Sequence, residues 1–250
     1  MPRLILRIFT MFNKLQVLGS DLAAYLGMSL NKSASVADTA EALGMLERVE
    51  DFGGAMIRLG GQSDGSYCIP NDLEGIKRCF SPGVGPSSEF EFDLAKRDIQ
   101  VSLADASVVE PPLTHPNFRF QRCHIASYSD RDRKLLSMDD WYDLDCGEDF
   151  GGDLLLQMDI EGSEYEVIHA MSESLLKKFR IIVVEYHHLN QLRHASMCSF
   201  MKSAFAKLNK HFVVCHVESN FAAGNFWFEG RRRSRLLEVS YLRKDRWHSA

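Results

Sequence analysis

The chain lacks most of the features that assign a class at a glance. Its six cysteines (Cys68, Cys79, Cys123, Cys146, Cys198 and Cys215) contain no Cys-x-x-Cys pair and follow no regular spacing. That excludes a disulfide scaffold and the common zinc motifs, and it points to a reducing compartment, hence a cytoplasmic protein. No stretch approaches the roughly 20 uninterrupted apolar residues of a membrane span. Positive charge is not in excess either: 29 Lys and Arg stand against 34 Asp and Glu, a net charge of −5. There is no overall basic field to make nucleic acid an obligatory partner, and small molecules fit better. Internal repeats and low-complexity tracts are missing.

What is there is enough for one substantial core: 250 residues, 45% of them hydrophobic. Residues 1–52 read as an N-terminal helical segment and residues 53–250 as the main domain. The opening run "MPRLILRIFTMFNKLQVLG" sets Arg3, Arg7 and Lys14 among apolar residues, with no acid before Asp21. It reads either as a helix packed on the domain or on a partner copy in a homo-oligomer, or as a peripheral membrane contact through residues 1–19. From Asp38 to Glu50, Ala42, Leu43, Leu46 and Val49 share one helical face, and Asp38 is placed to cap it.

After residue 52 the texture changes to short apolar strands alternating with helical stretches. Strands are expected over Lys77–Ser81, Gln100–Asp105, Phe118–Ile125, Leu154–Asp159, Ile181–Tyr186, Phe212–Val217 and Leu236–Leu242. Helices are expected over Ser88–Arg97, Ser163–Phe179 and Ala195–Leu208. That alternation implies an α/β fold with a largely parallel sheet covered on both faces.

In such sheets ligands sit beyond the carboxyl ends of the strands. The segment "CFSPGVGPSSEFEFDLAKRDIQVSLADAS" places Gly83 and Gly85 in the turn after the first long strand and Asp105 at the end of the next. A dinucleotide favours a third glycine and a helix start free of acid. Here the third glycine is absent, and Glu89, Glu91 and Asp93 load the helix with negative charge, which is unfavourable beside a pyrophosphate. A nucleoside without phosphates suits the turn better, and S-adenosylmethionine has that character, with Asp105 on the ribose. A second constellation, "LLLQMDIEGSEYEVI", ends a strand in Asp159, where a carboxylate is costly unless partnered. Glu164, a few residues on, reads as an ordinary helix-start charge.

Three stretches, "DLLLQMDIEGSEYEVI", "RIIVVEYHHL" and "SMDDWYDL", resemble the FkbM-type methyltransferases, and the resemblance runs from about Arg58 to Arg246. It implies a Rossmann-like class I methyltransferase that uses S-adenosylmethionine, mostly on hydroxyl oxygens, with a seven-stranded mixed sheet in which one late strand is antiparallel. Carried over, Gly83 and Gly85 face the methionine portion, Asp105 the ribose, and the Cys123 to Ser127 turn, which contains Ala126, the adenine side. Asp64 and Gly65 lie in a loop over the cofactor. Ser81 and Pro82 stand where the family has an acid at the end of the first strand, so Ser81 is a cofactor neighbour whose contact to the amino group is unassigned. Ser66 stands in place of a second loop glycine.

Methyl transfer to oxygen needs a route for the hydroxyl proton, through a base or a polarising metal. Asp159, His187 and His216 are the catalytic candidates. His187 is preferred over His188 because it shares the Glu185 side of an extended strand. Asp159 and Glu185 are the candidate ligands of a divalent ion such as magnesium. Arg231, Arg232, Arg233 and Arg235 fall in an expected hairpin turn, flanked by Phe226, Trp227 and Phe228, which read as core. The acceptor is expected to be a small molecule or a glycan. An NAD-dependent oxidoreductase and a noncatalytic nucleoside-binding or assembly module are the alternatives.

Overall fold

Burial of period two in the central strands sets the layering. The computed structural model describes residues 32–61, 65–147 and 150–247. Leu154, Leu156 and Met158 enter one core and Leu155 a second, while Ile182, Val184 and Tyr186 enter the first and Ile181 and Val183 the second. Alternate side chains of a strand leave by opposite faces, so a sheet covered on both sides appears in sequence as an unbroken apolar run.

Helix α1 (Val36–Glu47) precedes a hairpin of β1 (Met56–Leu59) and β2 (Tyr67–Pro70). Then come β3 (Ile76–Pro82), α2 (Glu89–Ala95), β4 (Gln100–Ala104), β5 (Phe118–Gln121), β6 (His124–Ala126), β7 (Leu135–Ser137) and α3 (Met138–Cys146). The second half runs β8 (Asp153–Met158), α4 (Glu164–Ala170), α5 (Glu173–Leu176), β9 (Phe179–Tyr186), α6 (Ala195–His211), β10 (Phe212–Ser219), β11 (Asn225–Phe228), β12 (Arg231–Ser234) and β13 (Leu237–Arg243). Seven strands form the main sheet in the order β10-β13-β9-β8-β3-β4-β5. Strand β13 is antiparallel to both neighbours and the remaining pairs are parallel. Helices α1 and α3 to α6 cover one face, through residues such as Leu43, Trp141, Val167, Leu175 and Phe205. Helix α2 and the β1–β2 hairpin cover the other, through Phe90, Leu94, Leu59 and Ile69. This is the Rossmann-like, seven-stranded mixed architecture expected, and no helix among the described residues is long and apolar enough to cross a membrane.

Local departures have local causes. Ser35, not Asp38, caps α1: its Oγ accepts from the Asp38 N–H at 3.0 Å, and Asp38 becomes a first-turn acid. The helix ends at Glu47, so Val49 is exposed. The single helix expected over Ser163–Phe179 breaks after Ala170, because Ser172 caps a new turn by accepting from Leu175 N–H, and Phe179 already belongs to β9. The strand expected over Phe118–Ile125 divides, with β5 on the main sheet and β6 paired to β7. Arg231, Arg232 and Arg233 lie on strand β12 and Arg235 just after it, rather than in the hairpin turn. Across from them, alternation buries Phe226 and leaves Trp227 65% exposed. Helix α3 was not among the expected elements, although Ser137 caps it in the same Ser-x-x-Asp pattern as α1, accepting from Asp140 N–H. The N-terminal apolar and basic run and Asp64 lie outside the described residues.

Candidate active site

Strands β3, β4 and β8 all end on one rim of the sheet, and β3 lies between β4, to which it connects next, and β8, reached much later. That switch in strand order opens a crevice at their carboxyl ends. A cavity of about 670 Å³ occupies it, within the range of small-molecule sites.

The turn after β3 forms one wall. Gly83 has φ +88°, and a Cβ there would sit 1.5 Å from the carbonyl oxygen of Asp159, so only glycine lets the β3 and β8 ends close together. The Asp159 N–H donates to the Pro82 carbonyl at 3.2 Å across the same seam. Gly85 has φ +54° with nothing within 4 Å of an added Cβ, which leaves room for a ligand against the backbone. Its N–H donates to Asp105 Oδ2 at 2.9 Å, while Asp105 Oδ1 accepts from the Ser107 N–H and hydroxyl. Burial raises the Asp105 pKa, but these bonds outweigh it and hold the carboxyl below its ordinary value. A carboxylate accepts about four hydrogen bonds; three are taken internally, which leaves about one for a ligand hydroxyl.

Beneath the cavity runs a buried polar chain. The Ser81 hydroxyl lies 2.5 Å from Glu91 Oε1 and 2.7 Å from Gln157 Oε1; Gln157 Nε2 donates to the Tyr67 hydroxyl at 3.1 Å; and Tyr67 donates to Glu185 Oε2 at 3.2 Å. Tyr67, Glu91 and Gln157 line the cavity. Burial pushes the Glu91 carboxyl up to about 7, against the lowering effect of Ser81.

At the β8 end, Asp159, Glu161, Glu164 and His187 converge. The loop between β8 and α4 turns back sharply, with Glu161 at φ +56°. Glu164, fully buried, closes it: Oε1 accepts from the N–H groups of Ile160 at 3.1 Å and Gly162 at 3.0 Å, and from His187 Nδ1 at 3.0 Å. Nδ1 also faces the Glu185 carbonyl at 3.1 Å, so it carries a proton, and the Tyr165 hydroxyl donates to the His187 carbonyl at 2.5 Å. The far nitrogen, Nε2, then faces Glu161 at 3.4 Å and Asp159 at 3.8 Å. Burial disfavours the imidazolium, but the Glu164 bond and the surrounding carboxylates outweigh it and raise the His187 pKa. Burial first, and then Glu185, raises that of Asp159.

Of the residues singled out from sequence, Gly65, Gly83, Gly85, Asp105, Ala126 and Asp159 line the cavity. Ser81 does not; its fully buried hydroxyl lies behind Glu91 and Gln157. His187 stands behind Asp159 and Glu161, outside the cavity lining, with its pKa raised by the Glu164 bond and the surrounding carboxylates. His188, in the left-handed conformation at φ +59°, is exposed beside Gly162. His216 is not brought to the cluster: β13 inserts between β9 and β10, and its ring lies 3.5 Å from Glu218, which pairs with Arg58 of the β1 hairpin. Glu185 accepts from Tyr67, and among the described residues the group of three ligand atoms within 4.8 Å of one another is that of Asp159, Glu161 and His187. Sequence reasoning missed Glu91 and the closing role of Glu164. The signal for Glu91 was its phase: it shares the buried face of α2 with Leu94 and Ala95, where a carboxylate is out of place unless used.

Residues 148–212 match the family model described as the methyltransferase FkbM domain, a span that carries β8, the Asp159 loop, β9 and α6. No curated protein matches the chain in sequence. Among solved structures with a similar fold is a 1,6-didemethyltoxoflavin-N1-methyltransferase from Burkholderia thailandensis, with bound 1,6-didemethyltoxoflavin and S-adenosylhomocysteine. It is 12% identical, over 68% of this chain and 72% of that one, at a TM-score of 0.31, and adds nothing to the topology described above. The resemblance to FkbM-type methyltransferases therefore holds over residues 148–212, the segment that bears the Asp159 cluster.

Proposed function

We propose that this protein transfers a methyl group to a hydroxyl oxygen of a sugar, glycan or other natural product. One observation carries the reading: Asp159, with the buried Glu164–His187 pair behind it, lines the same cavity as the Gly83–Gly85 turn and Asp105. S-adenosylmethionine, when bound, supplies an electrophilic sulfonium methyl. The chain's own residues do the rest. The glycine turn admits the donor close to the backbone, Asp105 offers its remaining acceptor position to a ribose hydroxyl, and the Cys123 to Ala126 segment, with Ile125 buried, lines the adenine side. Gly65, which lines the cavity, is assigned to the covering loop. Asp159 takes the acceptor's proton, because a carboxyl raised toward neutrality is a more effective base than an ordinary one. His187, fixed by Glu164, stabilises the negative charge that develops nearby. The buried Glu91 carboxyl at the cavity disfavours a pyrophosphate there, and with it the NAD reading. All six cysteines are free, in keeping with a reducing, cytoplasmic setting.

Calorimetric titration with S-adenosylhomocysteine, with NAD as control, tests the donor; methyl transfer to a panel of hydroxylated acceptors tests the chemistry. Saturable binding of S-adenosylhomocysteine alone is expected, and binding of NAD alone would reverse the assignment.

A second reading of the cluster is favoured by the spacing of Asp159, Glu161 and His187. A histidine that donates Nδ1–H to a carboxylate is oriented to ligate a divalent cation through Nε2, which would polarise the acceptor hydroxyl. Titration of chelator-treated protein with manganese discriminates the two; no binding leaves Asp159 as the base.

A further inference from the structure

The polar chain beneath the cavity does not balance with every group in its ordinary state. Ser81 has one hydroxyl proton but two oxygen neighbours, Glu91 Oε1 and Gln157 Oε1. With Gln157 donating to Tyr67, Ser81 gives its proton to Gln157, and Glu91 must itself carry a proton and donate to Ser81. With Glu91 ionised, Ser81 turns its proton to Glu91 and gives up the bond to Gln157; turning the Gln157 amide over regains it only by losing the bond to Tyr67, whose single proton is already donated to Glu185. The chain therefore has two states that differ by one proton on Glu91: a fully bonded one with Glu91 protonated, and a second, one bond poorer, with Glu91 ionised.

A cation in the cavity would select the second. Asp105 is already three-quarters satisfied, Asp159 faces His187, and the cavity-lining Glu161 and Glu166 are exposed. Glu91 is 4% exposed, and no Lys, Arg or His among the described residues pairs with it. A buried cation needs a buried anion, and the end of β3, where Ser81 and Pro82 stand, supplies none.

We propose that Glu91, reaching the cavity from helix α2, binds the ammonium group of the cofactor's amino-acid moiety and releases its own proton to solvent as it does so. The inference rests on the S-adenosylmethionine reading. The balance is simple: a neutral carboxyl and an ammonium become a carboxylate–ammonium pair, and one proton leaves. The groups facing Glu91 do not compete for it near neutrality. Tyr67 from β2 and Cys79 from β3 are both driven well above their ordinary values, by burial first and then by neighbouring carboxylates, Glu91 among them.

The test is calorimetric titration of the whole protein with S-adenosylhomocysteine, in two buffers of different ionisation enthalpy, between pH 6 and 7.5. With the Glu91 carboxyl near 7, about half a proton should leave per binding event at pH 7 and about 0.9 at pH 6, and affinity should rise with pH across that window. Glu91→Gln should abolish the release and weaken binding about tenfold or more. Ser81→Ala, which keeps the carboxyl but removes a donor to its ionised form, should move the release to higher pH. Binding without proton release, or release that persists in Glu91→Gln, overturns the proposal. If S-adenosylhomocysteine does not bind at all, the cofactor reading fails first and takes this inference with it.

Discussion

The imidazole Nδ1 of His187 lies 3.0 Å from Oε1 of Glu164, and that same oxygen accepts both N–H groups that close the loop behind Asp159. One buried carboxylate thus fixes the loop and the ring together. Glu164→Gln keeps an acceptor for the backbone but loses the charge. A hydrogen bond to a charged group contributes about 1.5–3 kcal/mol, so kcat should fall about tenfold to a hundredfold. S-adenosylhomocysteine affinity should stay within about threefold of wild type, as the donor walls are untouched. Equal losses in both would make Glu164 a scaffold residue only.

Asp159→Asn should reduce methyl transfer by at least about 10²-fold while S-adenosylhomocysteine still binds. His216→Ala, on the far side of β13, should leave turnover within about twofold. Steady-state kinetics on purified variants separates the two, and full activity in Asp159→Asn would remove it from the chemistry.

The two glycines should behave differently. Gly83→Ala meets both a left-handed backbone and the Asp159 carbonyl, and should lower stability by about 3 kcal/mol or more. Gly85→Ala meets only the backbone cost, about 1–2 kcal/mol, and should chiefly weaken cofactor binding, because its methyl points into open space. Denaturant unfolding and ligand titration of each variant check this; similar stability losses for both would contradict the packing described here.

Asp153 accepts from Arg180 Nε at 2.7 Å and Arg243 Nη1 at 2.8 Å, tying β8 to β9 and β13. Burial raises its pKa, but the two arginines outweigh it and hold the carboxyl below its ordinary value of 3.8. A depressed carboxyl contributes stability that is complete above the unfolded-state value and lost as pH falls through the folded one. The melting temperature of Asp153→Asn should therefore lie below wild type at pH 7, with the gap closing as pH falls through the depressed folded-state value. A gap that persists unchanged in acid would show that the carboxylate's charge is not what matters.

Much of the architecture was written in local pattern. The runs around Leu154 and Ile181 are buried on both faces and read as short unbroken apolar stretches, so these central strands emerged within a residue or two of their observed limits. Helix ends were harder, because a cap is a competition between neighbours: Ser35 and Ser172 each took a backbone N–H that the apolar period assigned to a longer or later helix. In the site, Gly83, Gly85, Asp105 and Asp159 follow from strand-end geometry. Glu91 and Glu164 were read as helix-start charges; the phase of Glu91 with Leu94 and Ala95 was the sign that it turns inward, whereas the inward bend of Glu164 to His187 rests on a long-range contact. His216 was misplaced for a different reason: the insertion of β13 between β9 and β10 is a long-range pairing, invisible until the strand order is known.

That insertion also bears on how the molecule is made. Strands β9 and β10 are synthesised before β13, yet each pairs with it and not with the other. A nascent chain that has just released β10 holds an incomplete sheet, with the apolar flank of β9 open along Ile182 and Val184 and no resting place for β10. Unpaired strand edges of that kind recruit foreign strands. The interval between translation of Ser219 and of Arg243 is therefore when the protein is most exposed to aggregation, and when a chaperone that shields strand edges would matter most.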